Sequence, residues 1–192
     1  MRYLTNALTR MRHPFLRGEQ GSVVVEAVIV LPIFLWAYVG LFAYWDTFRS
    51  LNMVQKAAFT VSDMISREQT GLSTPYVDGM SQVLNYLIDC NQDARMRLSS
   101  VTWNDVNARF EIHWSVSPHG TMTPLTTQTL QGHANEIPKM APGDFVIILE
   151  VEVDYQPSFG AYLPDQTFRQ FIVTRPRFLP CLSLDAVACP LS

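Results

Sequence analysis

The sequence contains little that would support catalysis or metal binding. It has only 4 histidines and 3 cysteines, and no histidine stands in the HExxH spacing of zinc proteases. The GxSxG, P-loop and GxGxxG motifs are missing, which argues against serine hydrolases, NTPases and dinucleotide-binding enzymes. We therefore expect no enzyme and no cofactor. Because no His or Cys cluster is visible in the sequence, no metal site is expected either.

Charged residues are also scarce, and one long stretch almost lacks them. They make up 16% of the chain, and Glu26 is the only one between positions 23 and 44. As a helix, this stretch would be roughly 33 Å long, close to the thickness of a bilayer core. The sequence therefore predicts a transmembrane helix. Pro32 cannot donate a hydrogen bond to the carbonyl of Val28, so we expect a slight bend there.

The basic residues are concentrated before this helix. Residues 1–21 carry a net charge of +3 and the rest of the chain carries −6. Basic segments remain on the cytoplasmic side of a membrane, so we expect the N-terminus inside and the C-terminal domain in the periplasm. An acidic exported domain also argues against nucleic acid as a partner.

A secretory signal peptide and an uncleaved anchor are alternatives for this N-terminal helix. The apolar region of a signal peptide has about 7 to 15 residues and ends in small residues at the cleavage site. Here the apolar run is longer and continues into the bulky residues LFAYW at 41–45. This length disfavours a signal peptide, whereas an uncleaved anchor stays open.

The beginning of the helix resembles a known processing site. The stretch RGEQGSVVVEAVIVLP is similar to the N-terminus of TadE/TadF-like minor pseudopilins of the tight adherence (Tad) pilus, which are relatives of type IV pilins. In that family a prepilin peptidase cuts after a glycine, and a glutamate is the fifth residue of the mature chain. Gly21, Ser22 and Glu26 match this pattern, and Pro32 matches the proline that follows the glutamate in TadE-like chains. The resemblance implies that cleavage separates Gly21 from Ser22.

The resemblance also covers two later segments, GDFVIILEVEVDY and FIVTRPRF. It departs from the family at Ala27, where pseudopilins often have an aromatic residue, so the TadE and TadF subtypes are not distinguished. It implies a minor pseudopilin of the inner membrane that acts as a structural or assembly component of a Tad pilus. The implied partners are the prepilin peptidase, pilin subunits, other minor pseudopilins, the inner-membrane assembly platform and the lipid bilayer. In related pilins the glutamate pairs with the α-amino group of a neighbouring subunit, which implies an assembly role for Glu26.

The alternative is a membrane protein of a different class. An uncleaved anchor would tether a periplasmic domain that binds a ligand or an envelope assembly partner.

Beyond the membrane segment, the spacing of apolar residues predicts an α+β domain. Helical spacing continues to about Ser66, breaks at 70–79 and returns in a second helix at about 75–90. Alternation with a period of two then predicts strands at 96–101, 110–116, 145–155 and 166–174. The predicted organisation is a leader at 1–21, a transmembrane and amphipathic helix at 22–68, and a periplasmic domain at 69–192. A long N-terminal helix with a second helix and a roughly four-stranded antiparallel sheet is pilin-like.

Two finer predictions concern the sheet. The alternate apolar residues of 110–116 are expected to share one face, with His113 solvated on the other. Residues 119–143 are rich in Thr, Gly, Pro and Gln, and are expected to form a long loop over the sheet and a candidate contact surface.

The three cysteines lie on the side predicted to be exported, which is an oxidising compartment where a disulfide is plausible. In the chain-entropy model, a bridge between Cys181 and Cys189 stabilises by about 2.6 kcal/mol, whereas a bridge from Cys90 to either of them stabilises by about 4.6 kcal/mol. Loop energy favours Cys90 and proximity favours the short loop. We predict the Cys181–Cys189 pair.

Overall fold

The computed structural model describes residues 19–88, 94–157, 160 and 163–190, with side chains from residue 23 onward. The chain divides into two compact units, Met1–Trp45 and Asp46–Ser192. Helix α1 (Glu19–Ser66) contributes its apolar part to the first unit and its C-terminal part to the second. Residues 1–18 of the predicted leader, including its arginines, lie outside the described residues, and only the backbone of Gly21 and Ser22 is described.

The second unit contains a four-stranded antiparallel sheet and further helices, which confirms the predicted α+β class. The strands run in the order β2-β1-β3-β4 across the sheet. Among the described residues, the elements after α1 are α2 (Thr74–Leu87), β1 (Ala94–Asn104), β2 (Arg109–Val116), a 3-10 turn (Pro118–Gly120), α3 (Thr127–Leu130), a 3-10 turn (Gln131–His133), β3 (Phe145–Tyr155) and β4 (Gln166–Thr174).

One face of the sheet is covered by α1 and α2. The stripe on α1 is fully buried at Val54, Ala58, Val61 and Ile65, and it shares a core with inward residues of β1 and β3. We call this side the helix face.

The opposite face carries a second, smaller core. Val101, Val146 and Ile148 are buried there beneath Leu125 and Leu130, which belong to the segment between β2 and β3. This segment was expected to be a loop over the sheet, and it does cover the sheet. It also contains helical turns. The Thr126 hydroxyl accepts a hydrogen bond from the backbone N–H of Thr129 and so caps α3. We call this side the loop face.

Strand β2 departs from the alternation expected from its sequence. Val101 pairs with Ile112 whereas Ser100 pairs with Trp114, so His113 is an extra residue and forms a β-bulge. The prediction that all alternate apolar residues of this strand share one face was wrong. Phe110 and Ile112 pack on the loop face, whereas Trp114 belongs to the core of the helix face.

The N-terminal end of helix α2 is capped by a side chain. The Ser73 hydroxyl accepts a hydrogen bond from the backbone of Tyr76 at 3.4 Å, which satisfies one free N–H of the first turn. The helix ends at Leu87, short of the predicted end at Cys90. Cys90 itself lies outside the described residues.

Candidate functional site

The first unit presents an apolar helix surface without a polar side. Every side chain from residue 23 to 38 is exposed, and the large ones are bare, with Phe34 at 70%, Trp36 at 68% and Tyr38 at 69% exposure. The helix Val23–Ser66 is long and apolar enough to span a membrane. A continuous apolar surface of this kind is unfavourable in water and suits lipid or other apolar helices.

Glu26 is the only charged residue on this apolar stretch. Its side chain is exposed, and within the described part of the chain no hydrogen bond or ion pair reaches its carboxylate. The backbone of Gly21 and Ser22 is already helical, so Ser22 and Glu26 are separated by one helical turn, about 6 Å along the axis. Groups four residues apart lie on the same helix face.

Pro32 lies within the same helix, which continues through it to Ser66. Its ring nitrogen carries no hydrogen, so the carbonyl of Val28 loses its helical partner. Pro32 therefore weakens the hydrogen-bond ladder less than two turns after Glu26. The bend expected from the sequence stays a prediction.

The part of α1 that belongs to the second unit begins with a hydrogen bond to the sheet. The hydroxyl of Tyr155, at the end of β3, donates a hydrogen bond to Asp46 at 2.9 Å, and Thr47 lies 3.5 Å from the same hydroxyl. The Tyr155 ring stacks on Phe168 with centroids 5.1 Å apart. Burial, followed by the neighbouring carboxylate of Asp46, raises the pKa of Tyr155 above its ordinary value.

The C-terminal end of α1 is also attached to the domain. The backbone N–H of Arg177 donates to the carbonyl of Ser66 at 2.8 Å, which satisfies a free carbonyl of the last turn. The guanidinium of Arg177 pairs with Asp63 at 2.6 Å. Residues 46–66 of the helix are therefore attached to the domain at both ends as well as along the apolar stripe.

The loop face carries charged side chains where the segment between β2 and β3 does not cover it. Glu150 is buried and pairs with Arg97, and Glu152 pairs with Arg169 at 3.1 Å. These residues and His133 line a cavity of about 380 Å³. His133 stacks on the ring of Phe171 with centroids 5.2 Å apart.

A larger cavity lies under the segment that covers the loop face. It measures about 650 Å³. Its walls include Trp103 and Phe110, whose rings meet edge to face at 4.9 Å, and Arg109 and Lys139 bring positive charge to it. Aromatic walls with a few polar groups are typical of small-molecule sites.

The C-terminal tail holds a disulfide between Cys181 and Cys189. His113 lies against it, because the β-bulge places this residue beside the tail. The expectation of a solvated His113 was wrong: the residue is half-buried and its Nε2 atom is enclosed. The fold thus forms a His and Cys cluster that is invisible in the sequence, since His113 is far from the two cysteines along the chain.

Comparison of the chain with protein-family models, with curated proteins and with solved structures finds no match. The resemblance to pseudopilins therefore stays a prediction from the sequence, based on the residues around Gly21 and Glu26 and on the two later segments. The sequence indicated these positions and Pro32, and the structure places all of them on one helix. It did not indicate the contact between Tyr155 and Asp46. The signal available was an inward-facing tyrosine, since a buried hydroxyl normally finds a partner.

Proposed function

We propose that this protein is a single-pass minor pseudopilin of the inner membrane, a structural or assembly component of a Tad-type pilus that a prepilin peptidase processes after Gly21. The observation that carries the proposal is the lone Glu26 at the front of an apolar helix whose side chains are exposed on every side. A plain anchor has no need of such an acid.

The cost of the acid requires a counter-charge. A charged residue inside a membrane helix costs about 2.5 to 3.5 kcal/mol at the centre and less near the surface. Cleavage before Ser22 creates a positively charged α-amino group one turn away from Glu26. A pair formed between the amine of one subunit and the carboxylate of its neighbour lowers this cost and fixes the register in which two helices dock.

The rest of the helix is suited to the same role. Its exposed apolar side chains provide a surface for lipid before assembly and for neighbouring helices afterwards. The contacts of Asp46 and Ser66 with the sheet domain hold residues 46–66 rigidly in the second unit. These contacts support a pilin-like arrangement, in which a helix carries its domain into an assembly.

Processing requires a local change at the cleavage site. The bond between Gly21 and Ser22 lies in the first turn of α1, and a peptidase needs that turn unwound. Gly21 favours unwinding, because glycine costs about 1 kcal/mol relative to alanine in a helix and terminal turns fray.

The large cavity on the loop face favours a second candidate function. With aromatic walls at Trp103 and Phe110 and cationic residues at Arg109 and Lys139, it suits a small apolar ligand with a negative group. In this alternative the helix is an uncleaved anchor for a periplasmic binding domain.

Intact-mass analysis and N-terminal sequencing of the protein from envelope fractions separate these functions. The pseudopilin proposal predicts a mature chain that starts at Ser22. A chain that retains residues 1–21 would favour the anchored binding domain, and a chain that starts near residue 45 would favour a secretory signal.

A further inference from the structure

Three side chains that commonly bind metals meet at the C-terminal tail. A ring nitrogen of His113 and the sulfurs of Cys181 and Cys189 all lie within 4.8 Å of one another. In a tetrahedral zinc site, with bonds of about 2.0 to 2.3 Å, the ligand atoms lie roughly 3.4 to 3.8 Å apart. Shifts of about an ångström would therefore convert this cluster into a zinc-binding geometry once the sulfurs are no longer bonded to each other.

The imidazole of His113 also has a nitrogen without a hydrogen-bond partner in the described part of the chain. Its Nε2 atom is enclosed and has no hydrogen-bond partner among the described residues. The ring is packed edge-on against Phe145, with centroids 5.5 Å apart. An enclosed nitrogen without a partner is unfavourable by about 1 to 3 kcal/mol. A metal ion bound to this nitrogen would satisfy it.

The tail is held beside His113 by contacts that do not depend on the disulfide. Trp114, the neighbour of His113, donates its indole N–H to the carbonyl of Leu182 at 2.8 Å. The backbone of Leu72 donates to Ser183 at 2.8 Å and accepts from Asp185 at 2.9 Å. The tail therefore stays near the bulge when the sulfur–sulfur bond is broken.

We propose that His113, Cys181 and Cys189 form a zinc site that the disulfide closes and that reduction opens. A dithiol reductant supplies two electrons and two protons, which convert the disulfide into two thiols while the dithiol becomes a disulfide. Zn²⁺ then binds both sulfurs as thiolates, releases the two thiol protons, and accepts the lone pair of the imidazole. A water molecule completes the fourth position, as in other zinc sites with three protein ligands.

The test uses the full-length chain in detergent micelles, with Cys90→Ser so that only the tail cysteines remain. One sample is reduced with a phosphine that is then removed under anaerobic conditions, and the other is kept oxidised. Each is titrated with Zn²⁺ alone against a chromogenic chelator. The reduced protein is expected to bind one Zn²⁺ per chain at least about tenfold more tightly than the oxidised protein. With Co²⁺ in place of zinc, the reduced protein should show thiolate-to-cobalt charge-transfer absorption.

A matched pair of histidine variants tests the third ligand. His113→Gln should weaken zinc binding by about tenfold or more. His133→Gln changes a histidine of the 380 Å³ cavity on the loop face and should leave zinc binding unchanged. Equal zinc affinity of the reduced and oxidised protein would overturn the proposal, and so would wild-type affinity in a folded His113→Gln. If His113→Gln does not fold, alkylation of the reduced Cys90→Ser protein decides. Bound zinc should protect Cys181 and Cys189 from the alkylating reagent. Continued labelling of these cysteines in the presence of zinc would contradict the site.

Discussion

Tyr155 illustrates how a single polar contact positions the part of α1 that lies outside the apolar stretch. Its hydroxyl bonds to Asp46, the first residue of the second unit, while its ring is packed on Phe168. The phenol is therefore held on the apolar side by packing and on the polar side by a carboxylate. Burial raises the pKa of Tyr155, and the carboxylate of Asp46 raises it further.

Tyr155→Phe removes this hydrogen bond and should lower the free energy of unfolding by about 1 to 2 kcal/mol at neutral pH. The pKa of Tyr155 is raised in the folded state, so the neutral phenol is favoured there. Its contribution is present below pH about 10, the ordinary tyrosine value, and is lost as pH rises through the folded-state pKa. The stability difference between wild type and variant should therefore shrink in alkali. Denaturant unfolding followed by circular dichroism measures it, and equal stability at neutral pH would show that the contact contributes nothing.

Gly21 can be tested with a matched residue in the same leader. Gly21→Leu should leave an unprocessed precursor, because a bulky side chain obstructs a close-fitting protease at the residue before the cut. Gly18→Leu changes a glycine three positions earlier and should be processed normally. Immunoblotting of both variants in the presence of the prepilin peptidase compares them. Normal processing of Gly21→Leu would remove the basis for cleavage at this site.

At the scale of whole elements, helix α1 and the strands follow from the spacing of apolar residues. The buried stripe from Val54 to Ile65 has helical spacing, and the ends of β3 and β4 agree with the predicted segments. The alternation in β2 failed as a guide because one extra residue, His113, moves the following side chains to the other face. Nothing in a single sequence distinguishes such a bulge from continuous alternation.

The sequence was a better guide to the residues around Gly21 and Glu26 than to the cluster at His113. Glu26 and Gly21 stand out because an acid in an apolar run and a glycine before it are local features of the chain. The cluster at His113 was not predictable, because it depends on a bulge and on a tail that returns to the sheet. Local patterns carry no information about such distant contacts.

The packing of α1 on the sheet gives a prediction with an adjacent control. Ile65 is fully buried, whereas Met64 is 40% exposed. Ile65→Ala should lower the free energy of unfolding by about 2 to 5 kcal/mol, since it leaves a cavity in the helix-face core. Met64→Ala should change it by no more than about 0.5 kcal/mol. Chemical denaturation of both variants gives the comparison, and similar losses would mean that this stripe is not the packed side of the helix.

At the scale of the whole molecule, the account requires the domain to lie outside the cytoplasm. Residues 1–21 carry +3 and the remainder −6, and the proposed orientation rests on this asymmetry. A reporter active only in the periplasm, fused after Ser192, should therefore be active, and a reporter active only in the cytoplasm should not. The reverse result would contradict both the orientation and the proposed function.

The central claim is that Glu26 serves assembly and not folding, and the number of pili per cell tests it most directly. In a strain that lacks the native copy, Glu26→Gln at native expression should be inserted, cleaved and folded normally but should sharply reduce piliation, because the proposed pair with the α-amino group of Ser22 is lost. Glu26→Asp keeps the carboxylate and should retain most pili. Full piliation by Glu26→Gln would contradict the account and would leave Glu26 as an acid that the membrane surface merely tolerates.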